Sequence, residues 1–313
     1  MYKMVRFPGL CFVVAAVFFA ALPAMAQEQA ASSTVPVTTV VTVIGPKYTA
    51  PPAVGKNDVA VYQNKDKQTV TSWVPAQGDK ASLQLAIIID DSDNTSLGGQ
   101  FGDITSFIKS LPASTAVGIY YASNGTVQTA SNFSADHDAV AKKLRMPFGN
   151  VGAYSSLYLS LMDFMKRWPV SSARREIFVI ADGIDRFRGD PFSPDVDSTI
   201  RRAQMSGIMI HTIYASGVGY ASRNFFRVNN GQSNLARMAD GTGGESFFQG
   251  TQTPISFAPF LSNLDTVLKN QYWLSFTMNR SKKAKGDLQR FRVRTELKNV
   301  EISAPDSVFV PGT

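Results

Sequence analysis

Four nearly unbroken apolar runs set the strongest limit on this chain: LQLAIII (83–89), AVGIYY (116–121), REIFVIA (175–181) and GIMIHTIY (207–214). None alternates polar with apolar residues, so each reads as a strand buried on both faces. The stretches between them have helical spacing. At 101–111, Phe101, Ile104, Phe107, Ile108 and Leu111 share one face. Further helices are expected from Ser134 to about Leu144, with Ser134 as cap, and at 155–168, 195–206, 234–239 and 257–270. Short strands at 127–129 and 245–248 complete an α/β fold, a doubly wound, mostly parallel sheet covered on both sides.

The flanks read differently. β-branched or alternating segments at 35–44, 58–62 and 69–73 precede the α/β region, and others at 272–277, 291–295, 300–303 and 308–310 follow it. Neither set alone encloses a core. The expectation is a small β unit made jointly by the two ends, giving a leader at 1–26, an N-terminal β segment and linker at 27–80, the α/β domain at 81–277, and a C-terminal β segment at 278–313 pairing with 35–73.

The first residues are a leader. Lys3 and Arg6 precede an apolar stretch at 9–23, and Ala24-Met25-Ala26 has the small-x-small form of a cleavage site. The stretch is shorter than the roughly 20 residues that span a bilayer. Cleavage before Gln27 removes Cys11, the only cysteine, so the mature chain has no disulfide and no thiolate. A bacterial periplasmic or secreted setting follows, with no integral membrane segment after cleavage. The formal charge of +7 falls to +5 without Lys3 and Arg6. Its basic residues form no stripe with interleaved aromatics, and no nucleic-acid partner is expected.

Two of the apolar runs end in acid, at Asp90 and Asp182, where ligands of such sheets bind. Buried carboxylates are costly unless paired or bound to a cation. Ser92 and Asn94 follow Asp90 at alternate positions, and Ser155 opens a later helix. Asp90, Ser92, Asn94, Ser155 and Asp182 offer oxygen only, which suits a hard divalent ion such as Mg2+, or Mn2+ or Ca2+. The alternative is a water-filled polar cleft with both aspartates held by loop amides. Asp91 and Asp93 are expected to point outward, or to ligate in a shifted register with Thr95.

From about residue 83 to 276 the chain resembles a von Willebrand factor type A domain. That family's metal-ion-dependent adhesion site has an Asp-x-Ser-x-Ser run, a later threonine, and an aspartate usually followed by glycine. Asp90 and Ser92 match the run, and Asn94 stands where its second serine belongs. Ser155 stands for the threonine, and Asp182, before Gly183, matches the last aspartate. The whole mature chain also resembles exported bacterial VWFA-related proteins of the Acidobacteria type. NDVAVYQ (57–63) sits at their N-terminal β motif, TGG at 242–244, and YWLSF (272–276) at the strand after the last helix.

The resemblance implies a non-enzymatic adhesion or binding protein. A protein partner's acidic side chain would complete the metal shell, and Tyr154, Ile184, Asp185, Arg186, Phe187 and Arg188 would shape the contact surface. The alternative is an interaction scaffold whose metal site has decayed. A metal-dependent hydrolase is disfavoured by the residues themselves. There is no G-x-S-x-G elbow, no P-loop lysine follows the glycines at 241–244, His137 reads as solvated, and His211 reads as buried in a strand.

Overall fold

The computed structural model describes residue 1 and residues 34–150, 152, 155–188 and 193–312. The leader and Tyr154 lie outside the described residues. In chain order the elements are β1 (Thr34–Ile44), β2 (Ala60–Gln63), β3 (Asp66–Gln68), β4 (Val70–Pro75), β5 (Leu83–Asp90), α1 (Phe101–Ser110), β6 (Thr115–Ser123), β7 (Thr126–Ser134), α2 (His137–Ala141) and α3 (Leu157–Arg167). Then come β8 (Arg174–Ala181), α4 (Pro194–Ser206), β9 (Ile208–Tyr214), α5 (Phe225–Thr242), β10 (Ser246–Phe247), α6 (Ala258–Lys269), β11 (Gln271–Asn279), β12 (Asp287–Arg290), β13 (Arg292–Arg294), β14 (Glu301–Ser303) and β15 (Ser307–Val310).

The four apolar runs are the centre of a six-stranded sheet, ordered β10-β9-β8-β5-β6-β7. All its pairings are parallel except β6 with β7. Alternate residues of β5 point to opposite faces, so Leu85, Ile87 and Ile89 enter one core and Ala86 and Ile88 the other. One core is closed by α1 and α6, the other by α3, α4 and α5. The order reverses between β8 and β5, and this places Asp90 and Asp182 side by side at the carboxyl ends of neighbouring strands.

The two flanks do build a β unit together. β1 pairs antiparallel with β11 over nine residue pairs and also with β14. β11 pairs with β4, β2 with β13 and β3, and β12 with β15. Val37, Val41, Val61, Leu274, Phe276 and Phe291 form its apolar core. Trp73 stacks on Tyr272 at 4.4 Å between ring centres.

Three local expectations are corrected. β7 runs over nine residues and is antiparallel, because Asn124 and Gly125, both at positive φ, close a hairpin from β6. α2 is capped by Asp136, whose carboxylate accepts from the Ala139 amide at 3.0 Å; Ser134 instead accepts from the Asp136 amide. α5 begins nine residues before the expected helix, at Phe225, with Asn224 accepting from the Arg227 amide at 3.2 Å.

The start of α6 is tied to α1 through Asp103, whose Oδ2 accepts from Ser256 Oγ, Phe257 N and Ala258 N at 2.7, 2.8 and 3.0 Å. These contacts satisfy orphan amides of the helix start and hold the Asp103 carboxyl below the usual carboxylate range. Asp103→Ala is expected to lower unfolding free energy by about 1 kcal/mol, measured by urea denaturation. An unchanged midpoint would mean that water replaces the cap fully.

Candidate functional site

The loop after β5 is folded back on itself. Asp90 Oδ1 accepts from the Ser92 amide at 2.8 Å, and the Asp93 amide donates to the Asp90 carbonyl at 3.0 Å. The loop after β9 laces onto it. Val218 N donates to the Ser92 carbonyl, and Asn94 N to that of Ser216. Gly217 has to be glycine here. A Cβ would collide with Asp182 Oδ2, Arg186 Nη2 and Ser222 Oγ.

Asp90, Ser92, Ser155 and Asp182 are all buried at this end of the sheet. Asn94 is not brought into the site: it is exposed, and its side-chain oxygen caps the following 3-10 turn by accepting from Ser96 N at 2.9 Å. Ser155 precedes the α3 cap Ser156, and its carbonyl accepts from the Arg186 amide at 3.2 Å.

Asp91 and Asp93 do not point outward. Asp91 is 2% exposed and binds Arg145 through both oxygens, at 2.7 and 2.8 Å. The Arg145 guanidinium lies 3.6 Å over Tyr121 and 4.1 Å over Phe148, and the Asp91 hydrogen bond raises its pKa. Asp93 is fully buried, and neither of its carboxylate oxygens has a hydrogen-bond partner among the described residues; the buried Ser92 Oγ is likewise unpaired.

The decisive group is Arg186, expected on the contact surface of its loop. Arg186 is buried, with its side chain 7% exposed. Its Nη1 and Nη2 meet Asp182 Oδ1 and Oδ2 at 3.1 and 2.5 Å, and Nη2 donates to Ser222 Oγ at 2.8 Å. Asp182 Oδ1 also accepts from Ile184 N at 2.9 Å, and Oδ2 from Ser222 Oγ at 2.9 Å. Two bonds on each oxygen use the full capacity of a carboxylate. Burial lowers the Arg186 pKa, but the Asp182 charge and hydrogen bonds outweigh it and hold it above the ordinary value. Ile184 and Asp185 are also buried, whereas Phe187 and Arg188 are exposed.

Three carboxylates therefore share one buried space with one guanidinium. Burial, then the Asp182 charge, pushes Asp90 up to about 6. Burial, then Asp90 and Asp182, pushes Asp93 well above the carboxylate range. The residues do not fit a divalent ion while Arg186 is in place: Asp182 has no lone pair left, Asn94 faces solvent, and a guanidinium supplies the positive charge. Among the described residues, no group of three or more His, Cys, Asp or Glu is arranged to hold a metal ion.

Both histidines are committed elsewhere. His137 Nε2 bonds to the Thr115 carbonyl at 2.8 Å and is not simply solvated. His211 is buried, with Glu176 Oε2 at 2.8 Å from Nε2 and the Glu245 amide donating to Nδ1 at 3.0 Å. Both ring nitrogens of His211 are engaged, and His137 is held through Nε2. Among the described residues, no helix is long and apolar enough to cross a membrane.

The sequence matches no protein-family model and no curated protein. Among solved structures it is similar to an aerotolerance-related membrane protein from Bacteroides fragilis NCTC 9343, at 13% identity over 60% of this chain and 98% of that one, with a TM-score of 0.44. It is also similar to von Willebrand factor type A from Catenulispora acidiphila, at 10% identity over 74% of this chain and 67% of that one, TM-score 0.43. A third is the manganese-loaded Plasmodium vivax TRAP protein, at 9% identity over 75% of this chain and 96% of that one, TM-score 0.43. The likeness concerns general fold alone, and any function has to be argued from this chain's own residues.

Proposed function

We propose that this chain is a non-enzymatic protein-binding module acting outside the cytoplasm, with Arg186 in the place a metal ion would take. The partner would dock on the loops at the carboxyl end of the parallel sheet. One observation carries the reading: Met146, Phe148, Phe187, Tyr220, Phe225 and Phe226 are all exposed, and all lie on loops or helix starts at that one end. Clustered exposed apolar side chains mark interaction surfaces, and aromatic and arginine side chains dominate hot spots. Arg188 lies 5.7 Å from the Phe187 ring centre, and Arg223 is exposed between Tyr220 and Phe225. The Arg186–Asp182–Ser222 bonds join the β8 and β9 loops beneath this surface, which supports a preorganised face.

One observation favours a second reading, in which Arg186 swings away from Asp182 and a cation is held at Asp90, Ser92 and Asp182. Asp93 and Ser92 Oγ keep unpaired buried oxygens beside Asp90, and such groups ordinarily find water or an ion. A pull-down from envelope extract, with and without chelator, separates the two. The metal-free reading expects a captured partner that survives chelation and falls by about tenfold or more with Phe225→Ser/Phe226→Ser, a loss of about 1.4 kcal/mol. Met205→Ser, at an exposed site on α4, serves as the control. Loss of the partner on chelation would favour the second reading. Equal capture by the double variant would remove the docking face.

A further inference from the structure

A groove lies at the opposite end of the molecule, between the small sheet and the amino ends of the parallel strands. It consists of two adjoining cavities of about 300 and 370 Å3, each at the low end of small-molecule sites. They share Thr38, Ser172 and Trp273. Its floor is the side of the β1–β11–β4 sheet turned away from the apolar core. Strand register arranges that floor in two rows: Thr38, Ser275 and Ser72 in one, Val40, Trp273 and Val74 in the other. Three hydroxyls thus stand in line across three strands beside a half-buried indole. Thr38 Oγ1 and Ser275 Oγ are 2.8 Å apart, and Trp273 Nε1 donates to the Lys80 carbonyl at 3.4 Å, which fixes the ring edge to the rim.

The facing wall adds Ser172 and Ser206. Of its two guanidiniums, that of Arg174 is paired with Glu176 at 3.6 Å. Arg174 donates to the carbonyls of Leu268 and Ala81, and Arg175 to that of Ser206. Asp79 and Lys80 stand together on the rim. Arg174 Nε is left without a hydrogen-bond partner. The outer edge of β4, and that of β1 before Thr42, is open to a peptide, so hexaglycine serves as the control for strand addition. A hydroxyl both donates and accepts, as a sugar hydroxyl does. An indole offers a flat apolar face to the C–H side of a pyranose ring.

We propose that this groove binds a neutral linear saccharide, with one sugar ring against Trp273 and its hydroxyls bonded to the Thr38–Ser275–Ser72 row and Ser172. The site is separate from the partner-binding face, and the proposal does not depend on it.

The test is calorimetric titration of the intact protein with chitohexaose and with maltohexaose. At least one is expected to bind saturably. Trp273→Ala should weaken that binding about tenfold or more, whereas Trp273→Phe, which keeps a flat ring, should stay within about threefold. Thr38→Val/Ser275→Ala should weaken it about fivefold, and Phe225→Ser/Phe226→Ser should leave it unchanged. Circular dichroism confirms that each variant is folded. The proposal is overturned if neither hexasaccharide saturates the folded parent protein, or if Trp273→Ala binds as the parent does. Equal binding of hexaglycine would overturn it too, because the groove would then be reading amides.

Discussion

Arg186→Met is expected to lower unfolding free energy by about 3–5 kcal/mol, the cost of breaking a buried ion pair from one side. Methionine keeps much of the volume and removes the charge. Asp182, fully buried, then loses two hydrogen bonds and its counter-charge. Ser222 and Ile184 N still donate to Asp182, so the variant is expected to fold. Urea denaturation in chelator gives the number, and a second measurement gives the meaning. Parent protein should show no rise in melting temperature with millimolar Mg2+, while Arg186→Met should gain one, since the freed carboxylates then lack a cation. A parent that is stabilised by Mg2+, with the effect lost in Asp90→Ala, would sink the internal-cation reading.

The second large effect is a pH dependence of unusual sign. The folded-state pKa of Asp90 is raised from 3.8 to about 6 by burial and by the Asp182 charge. A raised carboxyl binds more protons folded than unfolded between those values, so its contribution to stability falls as pH rises from about 4 to about 6 and is flat above. The shift corresponds to about 3 kcal/mol. Asp90→Asn, which cannot ionise, should therefore be more stable than the parent at pH 7 by about that amount and nearly equal to it at pH 4. Asp93 is raised in the same direction, so a residual fall with pH remains in the variant. Parallel stability profiles for parent and variant across pH 4 to 7 would show that Asp90 stays ionised throughout.

The frame of the molecule was legible because continuous apolar runs permit few arrangements. The limits expected for β5, β8 and β9 lie within one residue of those found. The helical pattern of α5 is interrupted in the sequence by NNG (229–231), residue types common in turns. Gly231 is instead where the helix passes the β8 loop: a Cβ there would collide with the Asp182 carbonyl. The placement of Asp90, Ser92 and Asp182 at one end followed from strand polarity. The roles of Asp91, Asp93 and Arg186 did not, because each depends on a partner brought from another loop. Asp91 turns inward because Arg145, 54 residues away, is there to meet it. One local signal for Arg186 existed: a basic residue four positions after an acid at a strand end, in a chain with an unusual residue at the second-serine position. Periodicity carries no information about which way such a loop side chain turns.

The pairing of β1 with β11 has a kinetic side. Thr34 lies opposite Asn279, so β1 cannot close its ladder until nearly the whole α/β region has been made. Contacts between residues so far apart in sequence slow folding, because the chain entropy is lost before the contact repays it. The parallel sheet can assemble first, leaving β1 waiting as an open edge rich in valine and threonine. Until β11 arrives, that edge is the part of the chain most exposed to pairing with a wrong partner.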